Sequence, residues 1–451
     1  MGRLFGTDGI RGEANRYPLD GPTAFSMGQA ITRFLKKGNK EIRIIIGRDT
    51  RITGEMLEHS LESGIMSMGG TPCPVGVLPT PGIAYMARVV KADAGIVISA
   101  SHNPYQDNGI KLFSGSGLKM TDSEEESIED LILGGRLPEE APLSSGVGQV
   151  EKIDEVMEQY VSFVARTMPD DVSIRGMKII VDTANGATSD AAPLLFSRLG
   201  AHVEVIHNAP DGMNINRNCG SQHTRDLQKR VVETGAQLGV AFDGDGDRLI
   251  AVDEKGKEIT GDQILLICAA ALKEQERLKN NLIVSSVMSN IGLTMACKKL
   301  GIERHASRVG DRQILRDMLR LGAVAGGEES GHIILLDHHT TSDGMVTALQ
   351  VTAAMIRKGK PLSELAALMD VYPQKLINVP VGRKPALSTV PLVQDAISAT
   401  EKELGSEGRV LVRYSGTQNV CRVMVEGPSV EVTERYCRLI AEQVTTALGE
   451  P

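Results

Sequence analysis

Three stretches of this chain repeat one theme, and the theme limits what the chain can fold into. An apolar strand runs into a polar turn, a helix-period segment follows and closes on glycine, and a second apolar strand breaks into a distinctive loop. The first copy opens with Ile44-Ile45-Ile46 running into Gly47-Arg48-Asp49. A helix predicted over 55–68 then ends at Gly69-Gly70. The return strand Gly95-Ile96-Val97-Ile98 breaks into Ser99-Ala100-Ser101-His102-Asn103-Pro104. The second copy runs from Ile179-Ile180-Val181 into Asp182-Thr183-Ala184-Asn185-Gly186, through a helix ending at Gly200. It returns along Leu238-Gly239-Val240-Ala241-Phe242 into Asp243-Gly244-Asp245-Gly246-Asp247-Arg248. The third runs from Leu282-Ile283-Val284 into Ser285-Ser286, through a helix with Leu293, Ala296, Cys297 and Leu300 on one face that ends at Gly301. Its return strand, Ala323-Val324-Ala325, leads into Gly326-Gly327-Glu328-Glu329-Ser330-Gly331-His332. Helix-period apolar residues closed by glycine are a stop signal. Strand–helix–strand alternation predicts α/β domains with mixed, mostly parallel sheets. Ligands of such sheets bind beyond the carboxyl ends of the strands, so the three loops are expected to converge on one cleft.

The remainder differs. Strands are predicted over 376–381, 409–412 and 422–425, and an amphipathic helix over 431–448, with Gly382-Arg383-Lys384-Pro385 as a loop. This reads as a smaller α+β domain. At roughly 100–200 residues per domain, 451 residues make three or four domains. Boundaries are placed near 155, 256 and 370, giving segments 1–155, 156–256, 257–370 and 371–451.

Composition excludes several classes. With 49 basic against 57 acidic residues the net charge is −8, whereas a duplex-binding protein should be basic. No nucleic-acid partner is expected. Aromatics are only 3% and Trp is absent, so the cores must be built from Leu, Ile, Val, Ala and Met. The six cysteines are far apart and form no C-x-x-C, which predicts reduced thiols in the cytoplasm. The start lacks an apolar signal region, and the longest apolar run, 264–272, is about half a membrane span. No membrane partner is expected.

The loops carry the chemistry. Asp243, Asp245 and Asp247 alternate with glycine, so their carboxylates would repel and raise one another's pKa unless a hard divalent cation joined them. The loop runs straight into an apolar strand, which argues against an EF-hand. Ser101 beside His102 at a strand end suggests a nucleophile, although Ser, Asn and Pro also make ordinary turns. A seryl phosphate would supply a further oxygen to a metal held by the aspartates. Arg413-Tyr414-Ser415-Gly416-Thr417, with Arg422 on the next strand, offers a guanidinium, hydroxyls and a backbone amide to a phosphate, or is a plain hairpin loop. Glu328 and Ser330 suit sugar hydroxyls. Lys111 reads more readily as a surface lysine than as a catalytic cation. His338-His339 reads as a solvated pair. Ser123-x-x-Glu126 reads as a helix capping box.

Five ordered motifs together resemble the α-D-phosphohexomutase superfamily over the whole chain. They are Phe5-Gly6-Thr7-Asp8-Gly9-Ile10-Arg11-Gly12, Ser101-His102-Asn103-Pro104, the triple-Asp loop, Gly327-Glu328-x-Ser330-Gly331-His332, and Arg413-x-Ser415-Gly416-Thr417. The opening, and the run from Ser101 to Lys111, are most similar to its bacterial phosphoglucosamine-mutase branch. The resemblance implies a heart-shaped, four-domain molecule, a monomer or homodimer. It implies interconversion of glucosamine 6-phosphate and glucosamine 1-phosphate in UDP-N-acetylglucosamine synthesis. Ser101 would carry the phosphoryl group, with Asp243, Asp245, Asp247 and Ser101 holding one Mg²⁺. Arg11, Lys111 and His102 would serve catalysis beside it. Arg248, Glu328, Ser330, Arg413, Ser415, Gly416, Thr417 and Arg422 would bind the hexosamine phosphate. Glucosamine 1,6-bisphosphate would be intermediate and activator, and the last domain would move on a hinge near 370.

One motif departs. The family usually reads Arg-Pro-Ser-Gly-Thr-Glu-Pro, whereas this chain has Tyr414, Gln418 and Asn419. Pro pre-sets φ and Tyr does not. Rival readings are a phosphomannomutase/phosphoglucomutase acting on another hexose phosphate, a Mg²⁺-dependent phosphatase, and a non-catalytic phosphosugar sensor.

Overall fold

The apolar triplets become the central strands of three sheets, since strands covered on both faces have no place for polar alternation. The computed structural model describes every residue except 1–3, 7, 37, 39–40, 136, 138–141, 416–418 and 450–451. The first sheet contains β1 (Ile10–Glu13), β2 (Arg43–Arg48), β3 (Thr71–Val77), β4 (Ala94–Ile98) and β5 (Asp107–Ser114), ordered β1-β5-β4-β2-β3. β2 runs parallel to β3 and β4, while β5 is antiparallel to both β4 and β1.

The second sheet contains β6 (Lys178–Asp182), β7 (His202–Ile206), β8 (Leu238–Phe242), β9 (Leu249–Val252) and β10 (Glu258–Ile259), ordered β10-β9-β8-β6-β7. β6 is parallel to β7 and β8, and β9 is antiparallel to β8 and β10. The third contains β11 (Leu282–Ser286), β12 (Glu303–Ser307), β13 (Ala325–Gly327) and β14 (Ile333–Leu335), ordered β12-β11-β13-β14. Here β11 is parallel to β12 and β13, and β14 is antiparallel to β13.

Each sheet thus has a parallel centre and an antiparallel edge. In each, the chain leaves the centre for the edge through one loop: after β4, after β8 and after β13. These are the three loops singled out by their chemistry.

The C-terminal segment forms a separate antiparallel sheet of β15 (Gln374–Pro380), β16 (Arg409–Tyr414) and β17 (Val420–Glu426), ordered β15-β17-β16. Helices Pro391–Leu404 and Val430–Leu448 cover it, and Val393, Cys421, Val423, Val425, Cys437, Ile440 and Val444 are among its fully buried core residues. The chain divides into two compact units. One comprises Ser289–Gly301 with everything from Met369 onward, so the helix Ile291–Leu300 groups with the C-terminal sheet; the other comprises the rest.

Several local expectations are corrected. β13 starts at Ala325 rather than 323, and β16 runs on through Arg413 and Tyr414, which lie on a strand and not in a loop. The capping box uses Thr121 and Glu124 rather than Ser123 and Glu126. Glu124 N–H donates to Thr121 Oγ1 at 3.3 Å, and Thr121 N–H donates to Glu124 Oε2 at 2.7 Å. His339 is buried, not solvated: its ring meets Phe163 edge-on at 5.2 Å, and burial pushes its pKa down to about 3. All six cysteines are free and buried. Among the described residues no helix is long and apolar enough to cross a membrane.

One ion pair ties the loops of the second sheet together. Asp182, at the end of β6, accepts from Ala184 N–H (2.9 Å), Gly220 N–H (3.0 Å) and His207 Nδ1 (2.9 Å). His207 Nε2 lies 3.3 Å from Asp226. The bond to Asp182 raises the His207 pKa above 6.5, against the opposing effect of burial. The folded state therefore holds the extra proton. Its stabilisation is whole below the unfolded value of about 6.5 and is lost as pH rises through the raised folded value. Urea midpoints should fall with rising pH above about 6.5 in the parent protein. The same midpoints measured on His207→Gln should lose that component.

Candidate active site

The serine loop is held by its backbone. Ser101 adopts φ +53°. Its N–H donates to Ser99 Oγ (2.9 Å), and Ser99 Oγ donates to Asp49 Oδ2 (2.6 Å). The fully buried Arg51 guanidinium donates to Asp49 and to the carbonyls of Ser101, Asn103 and Pro104 at 2.7–3.0 Å. From the second sheet's domain, Asn216 Nδ2 donates to the Ser101 and Asn103 carbonyls at 2.8 and 3.0 Å. Backbone conformation outside the usual basins persists when its surroundings over-determine it, and these are such surroundings.

This grip delivers the hydroxyl to the aspartates. Ser101 Oγ donates to Asp243 Oδ2 at 2.6 Å, although 142 positions separate them. His102 Nδ1 lies 3.3 Å from the same Oγ, and burial with the nearby Arg248 and Arg11 charges lowers its pKa to about 4. Glycine lets the two loops meet: a Cβ on Gly244 would stand 2.6 Å from the Ser101 carbonyl oxygen.

The three carboxylates are buried and offer oxygens within 4.8 Å of one another. Burial, then the charges of Asp247 and Asp245, push the Asp243 pKa well above its ordinary value. Asp247 is equally buried, but His332, Lys111 and Arg248 outweigh that and hold it below the carboxylate range. Among the described residues Asp245 Oδ1 has no hydrogen-bond partner, and Asp247 Oδ1 has only the longer approaches of His332 and Arg248. Buried carboxylate oxygens within 4.8 Å of one another suit a hard cation with oxygen ligands.

Lys111, expected at the surface, is buried. Its Nζ lies 2.9 Å from Asp245, 3.4 Å from Asp8 and 3.8 Å from Asp247. Burial disfavours its charge, but those three carboxylates raise its pKa above the ordinary lysine value. Arg11 bonds Asp8 at 2.5 Å and the Ala100 carbonyl at 3.4 Å. Arg248 lies 3.9 Å from both Asp243 and Asp247. It also forms a β-bridge with His332, which brings in the third sheet's loop. There Glu328 Oε1 accepts from Gly310 N–H at 3.1 Å, and Ser330 lies in the adjoining turn.

Composition and spacing carried no signal for Asp49, Arg51, Thr80, Lys119, Asn216 or Asp311. Lys119 bonds both Asp8 and Asp311, and His332 sits between Asp247 (3.6 Å) and Asp311 (3.5 Å). Apart from the Asp49–Arg51 pair, their roles follow from long-range pairings, up to 192 positions apart, which no local pattern encodes. His332 did stand in a quoted motif.

In the C-terminal unit, Arg413 on β16 lies directly opposite Arg422 on β17. Burial and then Arg422 lower the Arg413 pKa. Like charges in register destabilise a ladder, so this pair favours an anion. Tyr414 pairs with Cys421 and packs against the C-terminal core. Ladder pairing thus holds the chain where the usual proline would have set φ. Thr7, Gly416, Thr417 and Gln418 lie outside the described residues.

The chain belongs to the phosphoglucomutase/phosphomannomutase family. Its alpha/beta/alpha domains I, II and III match residues 2–137, 158–256 and 260–372, and its C-terminal domain matches 376–443. The chain is 64% identical over 449 residues to the phosphoglucosamine mutase of Syntrophobacter fumaroxidans and 53% identical over 449 residues to that of Syntrophus aciditrophicus, covering 100% of each pair. Within the family it belongs with the phosphoglucosamine mutases.

Solved structures share the fold. A family protein from Burkholderia thailandensis superposes with TM-score 0.82 at 24% identity, covering 99% of both chains. The Aspergillus fumigatus N-acetylphosphoglucosamine mutase, in complex with GlcNAc-6P and magnesium, gives 0.69 at 16%, covering 98% of this chain and 96% of that one.

Gly244→Ala tests the contact between the two loops. The added methyl has no room beside the Ser101 carbonyl, so the loops must part. A displacement of ~1 Å at a reacting group lowers turnover by on the order of 10²-fold. Turnover should fall by that order with an unchanged far-UV spectrum; turnover within about twofold of the parent would remove the contact from the mechanism.

Proposed function

We propose that this protein interconverts glucosamine 6-phosphate and glucosamine 1-phosphate, an isomerase acting through a phosphorylated Ser101 and glucosamine 1,6-bisphosphate. The observation that carries the reading is the 2.6 Å bond from Ser101 Oγ to Asp243, which joins a hydroxyl to a trio of acids from another sheet. The names of the relatives favour glucosamine over other hexoses.

Asp243, Asp245, Asp247 and a Ser101 phosphate oxygen would hold Mg²⁺. When bound, the ion would neutralise charge on the transferring phosphoryl oxygens as a Lewis acid. The protein's own part is positioning and charge. The phosphoryl group passes from Ser101 Oγ to the free sugar hydroxyl: one O–P bond breaks at the serine and one forms at the sugar. The resulting bisphosphate reverses end for end and returns its other phosphoryl group to Ser101.

The sugar hydroxyl gives up its proton as the new O–P bond forms, and Ser101 Oγ takes up a proton as its O–P bond breaks. Lys111, whose pKa is raised, remains charged at neutral pH and with Arg11 offsets the build-up of negative charge. His102, neutral by the same argument, orients the hydroxyl. Arg248, Glu328 and Ser330 bind the sugar. Arg413, Arg422 and Ser415, with Gly416 and Thr417, grip the phosphate not in transfer. Six free thiols accord with a cytoplasmic setting.

Peptide mapping of the purified protein should find one phosphoryl group on the peptide containing Ser101, and Ser101→Ala should abolish turnover. Steady-state rates should favour glucosamine phosphates over glucose and mannose phosphates. Phosphate release without isomerised sugar would instead identify a phosphatase. Arg413→Ala should raise KM about 10- to 100-fold, the worth of a charge-assisted bond, with little change in kcat. A loss confined to kcat would remove Arg413 from the grip. Chelation by EDTA should stop turnover, and added Mg²⁺ should restore it.

A further inference from the structure

The aspartate loop is clamped by a residue that belongs to neither the loop nor the reacting groups. Thr80 opens the helix Thr80–Val89, between β3 and β4, and is almost wholly buried. Its Oγ1 donates to Asp245 Oδ2 at 2.7 Å, and its N–H donates to the Asp245 carbonyl at 2.9 Å. Lys111 Nζ donates to the same Oδ2 at 2.9 Å. Asp245 Oδ1 is left buried without a hydrogen-bond partner among the described residues. Both donors therefore take one oxygen and leave the other. The loop backbone is boxed in as well: a Cβ on Gly246 would stand 2.6 Å from Thr188 Cγ2 and 3.2 Å from Pro79 Cβ.

Two donors on one oxygen differ in kind. Lys111 is a charged group that shares its ammonium among three carboxylates, Asp245, Asp8 and Asp247. Thr80 is neutral, short and β-branched, with few rotamers open to it. A neutral donor orients a carboxylate without placing a second positive charge beside the bound cation.

We propose that Thr80 is a positioning residue for the metal. Its hydroxyl holds Asp245 so that Oδ1 is presented to a divalent cation, a role in orientation that the ammonium of Lys111, shared among three carboxylates, does not duplicate. The proposal rests on the reading of the aspartate loop as a cation site.

The test measures cation binding rather than turnover. Free Mn²⁺ is titrated by electron paramagnetic resonance against the full-length parent, Thr80→Val, Thr80→Ala and Thr80→Ser, each checked for cooperative melting. The parent should bind one Mn²⁺. Thr80→Ser, which keeps the hydroxyl, should bind within about twofold of it. Thr80→Val and Thr80→Ala should each bind about tenfold or more weakly, since a hydrogen bond to a charged group is worth about that factor. If Val does not fold, Ala and Ser decide the matter. Binding by the hydroxyl-free variants within twofold of the parent would overturn the role of Thr80 and leave the cation site standing. Serine as weak as alanine would show that the methyl and not the hydroxyl matters, and would also overturn it. A parent that binds no Mn²⁺ would overturn the cation site itself, and with it this proposal.

Discussion

Burial of three carboxylates on one short turn is the constraint to which the rest of this site answers. Unpaired, each would lose hydration and repel the other two, and the opposite displacements of Asp243 and Asp247 record that conflict. Relief comes from elsewhere in the fold. Lys111 reaches in from β5, Arg248 from the start of β9, and His332 from the start of β14. Asp8 and Asp311, tied to Lys119, balance those cations in turn. The array belongs to the three-sheet unit as a whole.

Sheet topology explains why the charges meet. Each of the three sheets changes from parallel to antiparallel pairing at one strand, and the connecting loop lies at that change. A helical crossover would have carried the chain away over the face of the sheet. A direct return keeps the loop at the carboxyl end of the central strands, where ligands of such sheets bind. Gly244 then permits a backbone approach that any side chain would block, and Arg51 and Asn216 fasten the serine loop's carbonyls from two sides.

The C-terminal sheet uses the same physics in simpler form. Arg413 and Arg422 face one another across a ladder, an arrangement that destabilises the free sheet and favours an anion. Where the family usually has proline, the strand continues through Tyr414 and its ring joins the core.

Alternation of apolar strands with glycine-closed helices was enough to establish three α/β domains and a different fourth, since period and helix stops are local properties. The aspartate turn stood out from its own adjacent residues, whereas the serine, Gly-Glu-x-Ser-Gly-His and arginine loops taken singly read equally as turns, and drew functional readings only from their combination and the family resemblance. Burial was not legible. Lys111 and His339 looked like surface residues because hydropathy assigns them to water, and only packing from distant strands supplied the carboxylates around one and the aromatic wall against the other. The parts of Arg51, Thr80, Asn216 and Lys119 were decided entirely by tertiary structure, because a polar side chain acquires a partner only once the chain has folded back on itself.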